Sequence, residues 1–365
     1  MLNLHVLQAE NGDCLILEFG TTDTPKYILI DGGPQTIYDH YLKRQLQKIK
    51  NNGAKLELVI VSHVDNDHII GLLDMMKELD VHQTNSLEKT ISIDAIWHNS
   101  FSRTLGDGTN IETRLRKLFS TTDDFSYVLS KPSKATRGIR EGDHLTRYAL
   151  KLNIPLNSQF KRGLISVDEA PQAITMENLS LRIVGPTKKS LEELKKKWIE
   201  WLDKHEPKTR DLRKIYPMSD RSVPNLSSIM ILVEADGKKI LLTGDARGDH
   251  LIQGLRQANL LNPNGTLHVD ILKVPHHGSC RNVDEEFFKM ITADTYVISA
   301  NGKDGNPDLE TLIWIVKGAK EQHRNIKILV TNQTSSTEKL LEEYLPDEYG
   351  YKLTVMEKEI PSLVI

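Results

Sequence analysis

Four potential metal ligands fall within six residues of this chain: His63, Asp65, Asp67 and His68, in the stretch Ser62-His63-Val64-Asp65-Asn66-Asp67-His68. Divalent cations take imidazole nitrogens and carboxylate oxygens, which must converge to within about 2.0–2.3 Å of the ion. The stretch follows the apolar run Leu58-Val59-Ile60-Val61 and precedes Ile69-Ile70-Gly71-Leu72-Leu73, so the spacing predicts a strand, a turn and a helix. A turn at the carboxyl end of a strand splays alternate side chains toward one point. The expected pairs are His63 with Asp65 and Asp67 with His68. An Asp-rich turn can also simply cap a helix, but two His and two Asp so close together exceed what a cap requires.

One turn cannot close two metal shells, so further donors must stand at other strand ends. Leu241-Leu242-Thr243-Gly244-Asp245 puts Asp245 directly after an apolar run, where a carboxylate can bridge two cations about 3.5–4 Å apart. Leu272-Lys273-Val274-Pro275-His276-His277-Gly278-Ser279 places two imidazoles after the next run. Asp31, in Ile30-Asp31-Gly32-Gly33, either orients a ligand by hydrogen bonding or shapes the glycine turn. Such a centre makes hydroxide near neutral pH, and Asp67 is a candidate to orient or deprotonate the water.

The elements that must position these residues are strands joined by hairpins and then by helices. Leu4 to Leu7, Cys14 to Phe19 and Tyr27 to Ile30 read as strands, and Tyr38 to Ile49 as an amphipathic helix stopped at Gly53. Further strands are expected at Leu181 to Val184, Ile229 to Glu234, Lys239 to Thr243, Val269 to Val274, Thr295 to Ser299, Ile326 to Val330 and Leu353 to Met356. Hairpins followed by strand–helix–strand units predict sheets packed between helices. Residues 99–222 turn to Ser, Thr, Gly and charge, with helical pieces at Ile111 to Phe119 and Leu191 to Leu202, and read as an insertion over the core of a single domain spanning 1–365.

Composition excludes several classes. With 39% apolar and 27% charged residues, and no apolar run near the ~20 residues of a membrane span, the chain reads as soluble and globular. The start, Met1-Leu2-Asn3-Leu4-His5, lacks a basic signal region, and two cysteines, Cys14 and Cys280, give no disulfide framework. A reducing, cytoplasmic setting is the expectation. No Gly-Lys-Ser or Gly-Lys-Thr phosphate loop and no dinucleotide fingerprint appears. The net charge of −3 conceals a division: residues 103–217 hold 23 Lys or Arg against 15 Asp or Glu, a balance of +8, which leaves −11 elsewhere. Acidity suits a cation-binding core, and a basic middle attracts polyanions.

The ordered set Ile30-Asp31-Gly32-Gly33, His63 to His68, Gly244-Asp245 and His276-His277-Gly278-Ser279 resembles the metallo-β-lactamase-fold hydrolases. Within them, Asn11-Gly12-Asp13-Cys14, Asp65 in place of a more usual His, Asn225-Leu226-Ser227-Ser228 and Pro275 to Ser279 are most like the soluble metallo-hydrolase domain of the bacterial competence DNA-uptake channel. The resemblance implies an α/β, four-layer αβ/βα fold with a large central insertion. It further implies two divalent ions, zinc or manganese: one ligated by His63 and Asp65, the other by Asp67, His68 and His276, with Asp245 bridging. Asn225 stands where many members carry another His ligand, which shifts the donor set toward oxygen and toward manganese. Asn306 replaces the His of a common Gly-His-Pro, so the resemblance implies a leaving-group or phosphate role filled less effectively, or through His277.

A phosphodiester suits such a centre, because its transition state spreads negative charge over oxygens that cations stabilise. The resemblance and the basic middle segment make nucleic acid the expected substrate. Arg137, Arg140, Arg147, Lys161 and Arg162 are candidate phosphate contacts, with Ser279, Asn301 and Asn306 nearer the centre. The alternatives are a small-molecule hydrolase acting on a cyclic nucleotide, phosphoester, lactone or thioester, and a metal-binding component, with a protein partner, of a bacterial defence-type assembly.

Overall fold

The computed structural model describes residues 1–100, 134–205, 227–357 and 363–364. In its first sheet are β1 (Leu2–Val6), β2 (Leu15–Gly20), β3 (Pro25–Ile30), β4 (Leu56–Val61), β5 (Ile96–His98) and β14 (Leu363–Val364). Their spatial order is β14-β1-β2-β3-β4-β5. The second sheet holds β6 (Ile174–Met176), β7 (Leu179–Gly185), β8 (Met230–Ala235), β9 (Lys238–Leu242), β10 (Leu267–Lys273), β11 (Ile291–Ile298), β12 (Ile326–Val330) and β13 (Tyr351–Val355), side by side in chain order.

Period-two alternation sorts the apolar residues of these strands between cores. Along β2, Leu15, Leu17 and Phe19 enter the space between the sheets while Ile16 faces outward; along β4, Leu58 and Ile60 go in and Val59 and Val61 go out. The second sheet meets them with Leu181, Ile183, Ile231, Val233, Ile240 and Leu242. Outside the first sheet, α1 (Lys43–Asn51), α2 (Asn66–Thr84) and α3 (Lys134–Lys151) supply Leu46, Leu72, Met75 and Leu145 to a second core. Outside the second sheet, α5 (Gly248–Gln257), α6 (Glu285–Met290), α7 (Leu309–Glu321) and α8 (Ser335–Glu343) supply Leu251, Phe287, Leu312 and Leu340 to a third. The layers therefore run helix, sheet, sheet, helix, as the motifs imply.

Of the range 99–222, residues 99–100 and 134–205 are described. Segments 101–133 and 206–226, with the helix expected at Ile111 to Phe119, lie outside the described residues. The rest contributes α3, β6, β7 and α4 (Lys188–His205). Leu145 and Ala149 in α3, with Leu152 directly after it, recur at helical spacing and pack this segment against the first sheet's helix layer, while β6 and β7 extend the second sheet. No helix among the described residues is long and apolar enough to cross a membrane.

The two sheets meet at the carboxyl ends of their parallel strands. β3, β4 and β5 are parallel in the first sheet, and β9 through β13 are parallel in the second. Open α/β sheets bind ligands at such ends. The connection from β1 to β2, residues 7–14, crosses to the second sheet here. Gln8 Nε2 donates to the Thr331 carbonyl (3.1 Å) and to Asn332 Oδ1 (2.7 Å), and Ser299 Oγ donates to the Gly12 carbonyl (2.6 Å).

Candidate metal centre

β4 ends at Val61 and α2 begins at Asn66, so Ser62 to Asp65 form the corner between them. Asp65 caps α2 with extended backbone, which places Asp67 and His68 in the first helical turn. Gly71 and Gly32 let α2 approach the turn after β3: a β-carbon on Gly71 would lie 1.9 Å from the Gly32 carbonyl oxygen. In the second ligand turn, after β10, His276 (φ 47°), His277 (φ 56°) and Gly278 (φ 84°) are all left-handed. Non-glycine residues in this region cost about 1–3 kcal/mol each and persist where the surroundings hold them. This backbone sends the two adjacent rings to different places.

Asp245, at the end of β9, is the hub. Its Oδ2 lies 3.6 Å from His63 Nε2 and 3.5 Å from His276 Nε2. Its Oδ1 lies 3.3 Å from both His68 Nε2 and His277 Nε2. Asp65 Oδ2 is 3.9 Å from His63 Nε2, and Asp67 groups with His68 and His277 at mutual distances within 4.8 Å. The opposite sides of the rings are held: Asp31 Oδ2 contacts His68 Nδ1 (2.8 Å), Ser62 Oγ contacts His63 Nδ1 (3.0 Å), Asn282 Oδ1 contacts His276 Nδ1 (2.8 Å), and His277 Nδ1 donates to the Ser299 carbonyl (2.7 Å). Asp31 also accepts from the Ser62 backbone N–H (2.7 Å) and hydroxyl (2.5 Å).

Burial and neighbouring imidazoles push His63 well below the ordinary value and hold it neutral. Burial also pushes His68 and His277 down, but the carboxylates outweigh it, Asp245 foremost, and hold both rings above the ordinary range. Burial works to raise Asp245, yet four imidazoles, led by His277, bring it well below the usual carboxylate range. The nitrogens His63 Nε2, His68 Nε2 and His277 Nε2 and the oxygen Asp245 Oδ1 are buried without a hydrogen-bond partner among the described residues. Leaving such atoms unsatisfied costs about 1–3 kcal/mol apiece. Convergent imidazole nitrogens around an ionised carboxylate are the donor set of a divalent cation, which would take the place of the protons that Asp245 otherwise draws onto His68 and His277, and the site fits one.

The structure brings His63, Asp65, Asp67, His68, Asp245, His276 and His277 together. It pairs the last two differently from the expectation: buried His277, 3% exposed, joins Asp67 and His68, while the less buried His276 lies across the other oxygen of Asp245. The left-handed turn is the reason. Asn225 lies outside the described residues, as do the side chains of Arg137 and Arg140 in α3. Arg147 and Arg162 face acids, Asp143 at 2.6 Å and Glu169 at 3.4 Å. Asn301 anchors Glu10 (2.8 Å), Asn306 Nδ2 reaches the His276 carbonyl (3.5 Å), and Ser279 is buried. Sequence reasoning missed Asp13 and Lys273, which meet at 2.7 Å beside His277. The available signal was a lysine inside the apolar run Ile271-Leu272-Lys273-Val274.

Comparison with known proteins adds the family. The Metallo-beta-lactamase superfamily profile matches residues 9–142. ComE operon protein 3 of Bacillus subtilis (strain 168) is 30% identical over 119 residues, 32% of this chain; the match spans 14% of that relative. Among solved structures, a diphosphatase from the PhnP family aligns over 100% of this chain and 98% of its own, at 11% identity and a TM-score of 0.41. The matched residues 9–142 carry the first ligand turn and α2, and are similar to a metallo-beta-lactamase superfamily domain.

Proposed function

We propose that this chain is a metal-dependent hydrolase that cleaves phosphodiesters, with nucleic acid as the substrate class. One observation carries the reading: three imidazole nitrogens and a carboxylate oxygen, buried without a hydrogen-bond partner among the described residues, converge where the strand ends of both sheets meet. His63 and Asp65 would hold one divalent cation, Asp67, His68 and His277 the other, and Asp245 both. Bound there, the cations supply Lewis acidity that acidifies water and counters charge growing on the electrophile. Asp67, half-buried at the start of α2, orients the water and takes up its proton. His276 stands at the rim, where it serves the leaving group in the role expected for His277. The oxygen-rich set around His63 and Asp65 favours manganese over zinc.

Nucleic acid is supported by the resemblance to competence-type domains and by the +8 balance of residues 103–217. A second reading, a small phosphodiester substrate, draws on Arg147 and Arg162, whose guanidinium groups already face carboxylates. Elemental analysis of the purified protein, followed by degradation of plasmid and single-stranded DNA with Mn²⁺, Mg²⁺ or Zn²⁺, separates them. Two bound cations and cleavage abolished by Asp245→Ala are the expected result. Turnover confined to a chromogenic diester would select the small substrate, and failure to bind any cation after reconstitution would end both readings.

A further inference from the structure

We infer that Asp13 and Lys273 form a charge-matched brace that positions the imidazoles of His277 and His68 from behind. The inference rests on the reading that these two rings are ligands. Lys273, on β10, is 1% exposed and its ammonium lies 2.7 Å from Asp13 Oδ2, itself buried. Lys273 also donates to the Val274 carbonyl (3.2 Å). Withdrawing two charges from water costs several kcal/mol per ion, so an apolar pair of similar volume would serve a core at least as well. The position of the pair explains its presence. Asp13 Oδ1 stands 3.6 Å from His277 Nδ1, and Oδ2 stands 4.0 Å from His68 Nδ1. The same two rings present Nε2 to Asp245 at 3.3 Å. One carboxylate therefore lies between the backs of two rings whose fronts share another.

Ser299 already fixes the Nδ1 proton of His277, and Asp31 contacts His68 Nδ1. Asp13 adds a further buried acid to Asp31, Asp65 and Asp245, and Lys273 is the cation that offsets it. Asp13 is also tied by its backbone N–H to the Asp67 carbonyl (3.2 Å), so it registers the second ligand turn against the first. Asp13 and Lys273 are positioning residues.

Titrating Mn²⁺ or Zn²⁺ alone into the metal-free protein, with melting midpoints recorded alongside, tests the brace. Lys273→Met leaves Asp13 uncompensated and is expected to lower the midpoint. Asp13→Asn combined with Lys273→Met removes both charges; the midpoint is expected to recover while cation affinity stays weaker by about 10–100-fold, the range for supporting groups behind a ligand. A double variant that binds cations like the parent reduces the pair to a structural ion pair and overturns the inference. Parent protein that takes up no cation instead overturns the proposed function on which it rests. Should the double variant fail to fold, Asp13→Asn alone decides: weaker cation affinity, with the imidazole nitrogen resonances of His277 and His68 shifted from those of the zinc-loaded parent, is expected, and parent-like affinity and resonances overturn the brace.

Discussion

The two ligand turns reach the same carboxylate by opposite routes. The first, between β4 and α2, takes its geometry from regular structure, because a strand end and a helix start set His63, Asp65, Asp67 and His68 at fixed offsets. The second has no such frame. His276, His277 and Gly278 lie in left-handed backbone, held by Ser299, Asn282 and the approach of Pro307. The first turn is determined locally and the second by tertiary contacts, so the second is where perturbations should alter cation binding without unfolding the protein.

The largest effect is expected where the turns converge. Asp245→Ala deprives all four rings of their shared carboxylate, and turnover of a chromogenic diester should fall by on the order of 10³-fold or more; comparable turnover would mean the turns act separately. Gly71→Ala forces α2 off the Gly32 carbonyl and should cost about 2–4 kcal/mol in urea unfolding. Gly278→Ala, at φ 84° and with its β-carbon 2.8 Å from Pro307, should lower cation affinity more than stability. Equal stability losses in the two glycine variants would erase the distinction between local and tertiary support. Saturating the centre at a free cation concentration 100-fold above each Kd should stabilise the fold by about 2.7 kcal/mol per bound cation over the chelated protein, read by urea midpoints.

Smaller still, His277→Ala should weaken cation binding roughly tenfold more than His276→Ala, about 1.4 kcal/mol, because the buried ring is the better-placed donor. The reverse order in calorimetry would restore the pairing that the motifs imply. The smallest effect belongs to Glu18, remote from both turns. Burial works to raise its carboxyl, but hydrogen bonds from Asn3, His5 and Tyr27 outweigh it and hold the group below its ordinary value of 4.5. A depressed folded value means stability that is present above 4.5 and lost as pH falls through the folded value. Glu18→Gln should therefore flatten the acid limb of the stability profile while leaving cation binding unchanged.

Much of the first turn was legible because its donors, strand and helix are contiguous: apolar run, polar cluster and apolar run mark all three. β12 was legible to the residue for the same reason, a short β-branched run with clear borders. β5 and β6, three residues each, leave no periodic signal. The face of α3 is diluted by Thr146, Arg147 and Lys151 between Leu145, Ala149 and Leu152. Which of two adjacent histidines turns inward was not legible, since backbone dihedrals decide it and residue type does not. The Asp13–Lys273 contact joins residues 260 positions apart and becomes evident only when the sheets are stacked.

The crossing of residues 7–14 to the second sheet also sets the order in which a ribosome can complete the centre. Ser299 meets Gly12 across 287 positions, and Asn332 meets Gln8 across 324. A nascent chain that already displays the first turn, and even Asp245, still lacks the contacts that fix His277 and clamp the two halves together. Cation binding should therefore appear late in translation, after residue 332 has left the exit tunnel. A chain stalled between residues 277 and 332 would carry every ligand named here without the enclosure that makes them a site.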